Sequence, residues 1–172
     1  VNLSSSQRQY ILIGHFVVPL AINFVLNGVI AFAMFRGLRA VPTWAVESSA
    51  GPDLIGTCFF LPAITCLIVT PIVRRHIRRG LVAPASWPES LPSSLRLFRR
   101  ALPMRALLFG LVGLGVFGSL VAATLVIAGP ASFGLTPFLW LKASFSAALG
   151  GLVTPIIGLV ALTEAEQRVR AA

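Results

Sequence analysis

The sequence predicts an all-α, polytopic membrane protein: four transmembrane helices arranged as two hairpins, with both termini in the cytoplasm. Three observations carry that reading. Hydrophobic residues make up 56% of the 172-residue chain, and its mean hydropathy is +0.89. Charged residues are only 11%, under half of the ~25% usual in soluble domains. Four apolar runs each reach the ~20 residues needed to cross a bilayer. Together these exclude a disordered chain and a soluble globular domain, because so much apolar surface has to meet lipid.

The first run covers residues 11–35 and carries His15, Asn23 and Asn27. Arg8 precedes it, and Ala31-Phe32-Ala33 resembles a signal cleavage site. The run exceeds the ~7–15 apolar residues of a signal core, so it reads as a retained helix. The second run covers 54–73. The third, 106–128, has no ionisable group, and the fourth, 139–162, has Lys142 only near one end. Two-residue alternation is missing and the runs are too long for barrel strands, which excludes a membrane β-barrel. The whole chain, 1–172, is read as one domain.

The connections between runs set the orientation. Residues 36–53 and 129–137 form short loops, the second uncharged. The central loop, 74–105, carries eight arginines. With Arg8, Arg168 and Arg170, eleven of the fourteen basic residues fall on one side, leaving Arg36, Arg39 and Lys142 on the other. The positive-inside rule therefore places the central loop and both termini in the cytoplasm of a bacterial inner membrane. The charge of +9 is thus a topology signal, and the loop lacks any nucleic-acid reading module.

Within that loop, Pro84, Pro88 and Pro92 predict an extended segment. Leu95, Phe98 and Leu102 then fall at helical spacing, with Arg96, Arg99 and Arg100 between them. This pattern predicts a short amphipathic helix holding anionic lipid headgroups through those three arginines. Pro103 is expected to bend the chain into the third span.

Ile68-Val69-Thr70-Pro71-Ile72 in the second run resembles Leu152-Val153-Thr154-Pro155-Ile156 in the fourth. The match suggests two copies of one hairpin, with chance similarity of Thr-Pro motifs as the alternative. Proline removes a helix hydrogen bond and clashes with the preceding turn, so kinks are expected at Thr70-Pro71 and Thr154-Pro155. In the first copy Pro71-Ile72-Val73-Arg74-Arg75 places a proline just before a basic run. Residues 23–79, which contain it, resemble small uncharacterised bacterial inner-membrane proteins built from two helices. The second copy departs from that pattern, with Gly158 where the arginine would fall. The resemblance implies a membrane hairpin and carries no activity.

His15, Asn23 and Asn27 form a slanting polar stripe along the first run, and such a stripe should face protein or a cavity. It reads either as hydrogen bonding between helices or as the wall of a pathway. His15 is the one histidine within a run, available for an interhelical hydrogen bond or for a haem or chlorophyll metal. His76 lies among arginines and is expected to be solvated. Asp53 follows Pro52 and reads as a helix cap. Cys58 and Cys66 are ~12 Å apart along one helix, too far for a disulfide within it. Ser146, Gly150, Thr154 and Gly158 recur every four residues and predict a close helix contact.

No metal-ligand spacing, paired carboxylates, phosphate loop or nucleophile elbow is present in the sequence, so no catalytic or metal residue is assigned and no cofactor is required. The reading that remains is a non-catalytic subunit or accessory protein of a larger membrane assembly, or a self-associating one. A small oligomeric transporter or channel lined by the His15–Asn23–Asn27 stripe is the alternative. Pigment or haem binding at His15 is the third reading.

Overall fold

The computed structural model describes residues 3–45, 47–85, 98 and 100–170, the last seven by backbone alone. It is mostly helical. Four helices are long and apolar enough to cross a membrane: α1 (Ser5–Phe35), α2 (Ala50–Arg78), α3 (Leu102–Ala128) and α4 (Leu135–Arg170). Each begins a few residues before its apolar run, because the hydrogen-bond ladder continues past the segment that lipid demands. Ser4 caps α1 through a reciprocal pair with Gln7, at 3.2 and 2.9 Å, which satisfies two otherwise orphaned donors. Pro103 sits in the first turn of α3, where its missing N–H costs nothing.

Helix α4 is the central element. It packs along both α1 and α2, while α3 packs on α2. Accordingly only 6% of the most apolar 18-residue stretch of α1 is buried, against 61% of that of α4. Side chains of α2, α3 and α4 share one core around Cys58, Phe109 and Ile157. Two short strands, β1 (Ala40–Pro42) and β2 (Ser132–Gly134), pair antiparallel with Val41 opposite Phe133. They bring the α1–α2 and α3–α4 loops to the same end. Val41 is fully buried there beside Phe35 and Phe138, whose rings meet edge-on at 4.9 Å. The three-residue strands were not legible as a sheet, since neither run is long enough to show a period.

The backbone of α2 runs as helix past Pro71, and that of α4 past Pro155. The helical backbone leaves α geometry in π turns at Ile13–Val17 and Leu114–Gly118. The first turn has a visible reason. Pro19 follows it within the first turn of the resumed α-helix, and widening the preceding turn relieves the clash its ring would make there.

Candidate functional site

A lateral cleft of about 620 Å³ separates α1 from α2, a size within the range of ligand sites. Its α2 wall runs from Pro52 and Asp53 to Ile72. Twenty residues of helical rise make it ~30 Å long, matching the ~30 Å hydrocarbon core of a bilayer. Thr154 of α4 contributes to its lining. The walls are mainly aliphatic, but the half nearer the strands carries Asn23, Asn27, Thr57 and Asp53.

The cleft exists because α4 holds the two walls apart. Gly150 lies directly against Asn23: a Cβ there would be 2.9 Å from the amide carbon and nearer still to Nδ2. Gly158 lies against His15, where a Cβ would be 2.7 Å from the ring. The absence of side chains at these two positions lets the α1 and α4 backbones approach. Ser146 and Thr154 are fully buried on the same helix. Thr154 donates to the Gly150 carbonyl at 2.6 Å, whereas Ser146 Oγ has no hydrogen-bond partner among the described residues. The α2–α3 contact uses the same device at Gly113, whose missing Cβ makes room for the Cys58 carbonyl and Pro62.

The amides of the stripe do not bond across helices. Asn23 Nδ2 donates to the Pro19 carbonyl at 2.8 Å, and Asn27 Nδ2 to the Asn23 carbonyl at 3.1 Å. Both are bonds to the preceding turn of α1 itself, and both residues stay half-buried along the cleft. His15, in contrast, is buried within the first π turn. Its Nδ1 is 3.3 Å from the Tyr10 carbonyl, and its ring lies 4.7 Å from the Tyr10 ring. With 4% of its surface exposed, a planar macrocycle could reach it only if α1 and α4 separated.

Two further constellations were not anticipated from the residues. At the strand end, Lys142 of α4 pairs with Asp53 of α2, Nζ to Oδ2, at 2.6 Å. The same ammonium donates to the Asp53 carbonyl at 3.1 Å and to the Thr57 hydroxyl. Asp53 therefore lies inside the first turn of α2, behind Ser49 at the cap position, and it bridges two helices rather than capping one. The signal was present: both residues lie near span ends that the loop lengths bring to one side. At the opposite end, the Tyr10 hydroxyl and His76 Nδ1 are 2.8 Å apart. His76 is thus half-buried and bonded to α1, not simply solvated, because α1 extends one turn further than its apolar run. Gln7 strengthens this end by donating to the carbonyls of Ala83 and Pro84 at 3.0 and 3.1 Å.

The two cysteines are free and buried. Cys58 Sγ donates to the Leu54 carbonyl at 3.3 Å. Thr70 is fully buried, with its hydroxyl 3.7 Å from Cys66 Sγ. Of the headgroup arginines, Arg96 and Arg99 lie outside the described residues, as do Leu95, Pro88 and Pro92. Arg100 is exposed, and the Phe98 ring meets that of Phe109 at a tilt, centroids 4.7 Å apart. Arg105, counted with the loop in the sequence, is instead fully buried in the first turns of α3. Among the described residues no cluster of three histidine, cysteine or acidic side chains could hold a metal ion.

No known protein family, curated protein or solved structure matches this chain. The functional reading therefore rests on the cleft and its surroundings.

Proposed function

We propose that the chain is a non-catalytic integral subunit of a larger bacterial inner-membrane assembly. In this reading the four helices form two hairpins with both termini in the cytoplasm, descended from one duplicated unit marked by Thr70-Pro71 and Thr154-Pro155. The observation that carries the proposal is the polar half of the α1–α2 cleft. Asn23 and Asn27 line a lateral opening at mid-span; the Asn23 amide oxygen accepts from Asn27 Nδ2 at 3.4 Å, and lipid offers no donor to the Asn27 amide oxygen. Polar groups left facing hydrocarbon are costly, so a partner span that brings a donor of its own is favoured there. A gain of ~0.6 kcal/mol per such contact is typical.

The alternative, a small transporter, is favoured by one feature: the asparagines do line an elongated path. That path opens sideways between α1 and α2, which suits a docking groove better than a conduit within one chain.

Photo-crosslinking in native membranes tests the proposal. A crosslinker at Leu26 or Ile30, on the cleft wall, should capture a discrete membrane partner or a second copy. The same probe at Leu120, which is exposed on α3, should not. Capture of lipid alone at all three positions, together with solute flux by the purified chain in liposomes, would replace the subunit reading with the transporter.

A further inference from the structure

We propose that the other half of the cleft is a binding site for an anionic phospholipid of the adjacent leaflet. Its acyl chains lie between α1 and α2, and its phosphate rests on Arg75 and Arg79. This is independent of the subunit reading, which concerns the polar half.

The first argument is helical register. Ile64, Ile68 and Ile72 line the cleft on α2. The same three- and four-residue steps continue into Arg75, His76 and Arg79, so the arginines stand on the extension of the cleft wall. Both are exposed. They form a positive mouth on a slot walled mainly by aliphatic side chains, with Thr65 as a polar side chain on its α2 wall, which is the charge and polarity pattern of an anionic amphiphile.

Length is the second argument. From Gly14 to Asn23 the α1 wall has no polar side chain, its lining residues being Gly14, Val18, Pro19 and Ile22 before the first amide. That stretch is ~14 Å of helical rise, or about half of the ~30 Å hydrocarbon core. Acyl chains from one leaflet would end where the amides begin. The hydrogen bond between Tyr10 and His76 ties the two walls together at this end. Chains therefore enter from the side, and the headgroup stays at the arginines. A partner helix, ~10 Å across, fits this half poorly, because the walls are already joined there.

The purified full-length chain in mild detergent provides the test, by native mass spectrometry after exchange with phosphatidylglycerol and phosphatidylcholine. Wild type should retain one phosphatidylglycerol in preference to phosphatidylcholine. Arg75→Gln with Arg79→Gln should weaken that retention about tenfold or more. Arg36→Gln with Arg39→Gln, at the opposite end, should leave it unchanged. Ile68→Trp should block the chains and abolish retention with both arginines intact. Val18→Trp on the facing wall serves if the first variant loses its helical circular dichroism. Equal retention of the two lipids would overturn the assignment, as would equal effects of the two arginine pairs. So would competition by glycerol phosphate as strong as that by the intact lipid, since it lacks chains.

Discussion

Replacing Gly150 by leucine should loosen the bundle at the α1–α4 seam. A Cβ at this position already meets Asn23, 2.9 Å from Cγ and 3.3 Å from Cβ. Asn23 cannot simply swing aside, because its amide is bonded to the Pro19 carbonyl at 2.8 Å. Losing that bond costs ~0.5–1.5 kcal/mol. The rest of the leucine forces the helices apart, and overpacking of this kind costs ~1–3 kcal/mol. Burial returns little, since lipid tails are as apolar as the helix interface. A net loss of ~1.5–4.5 kcal/mol is therefore expected in reversible unfolding followed by circular dichroism in mild detergent. Gly56→Ala is the control. Its Cβ would have only Phe60 nearby, at 4.0 Å, so no loss of stability is expected. Adding Asn23→Ala to Gly150→Leu should recover part of the deficit, with a coupling of ~0.5–3 kcal/mol for residues in contact. Unchanged stability in Gly150→Leu, or purely additive effects in the double variant, would refute the claim that this seam depends on a missing side chain.

Three further outcomes are expected. Lys142→Met alone should destabilise the protein by ~3–5 kcal/mol, because it strands the Asp53 carboxylate. The pair Lys142→Met with Asp53→Asn should recover most of that loss in the same unfolding assay, and equal deficits in single and double variants would sink the ion-pair account. Tyr10→Phe should raise protease sensitivity in the segment after α2 by removing the 2.8 Å bond to His76, whereas an unaltered digestion pattern would assign no closing role to that bond. In a background without Cys58 and Cys66, an impermeant thiol reagent applied to intact cells should label Ser48→Cys and spare Ser93→Cys, and the reverse pattern would invert the proposed topology.

The four spans were legible because lipid imposes a length on apolar sequence that few soluble proteins imitate. Small residues on α4 were legible for a related reason: Ser146, Gly150, Thr154 and Gly158 repeat with the helix. What these residues touch was not legible. Nothing in the period of α4 says that Gly150 meets Asn23 and Gly158 meets His15, because helix neighbours are chosen by the packing of the whole bundle. The asparagines illustrate a second limit. A polar stripe announces that its hydrogen bonds must go somewhere, yet Asn23 and Asn27 satisfy their donors on the preceding turn of α1. That local option is open to any short polar side chain in a helix. The Asp53–Lys142 pair spans 89 positions, and only loop geometry brings it together. The π turn at Ile13–Val17 leaves no periodic trace, although Pro19 marks its neighbourhood.

Disulfide trapping in native membranes tests most directly whether α4 holds α1 and α2 apart, the arrangement on which both the docking groove and the lipid site depend. Gly28 and Ala143 face each other across the α1–α4 seam, where a Cβ on Gly28 would lie 3.5 Å from that of Ala143. This is within the range a disulfide requires. In a background without Cys58 and Cys66, Gly28→Cys with Ala143→Cys should be joined rapidly by mild oxidation. Leu26→Cys with Phe60→Cys, on opposite walls of the cleft, should remain unjoined. Rapid joining of the 26–60 pair with no joining of the 28–143 pair would mean that α1 packs on α2 and that the cleft does not exist in the membrane.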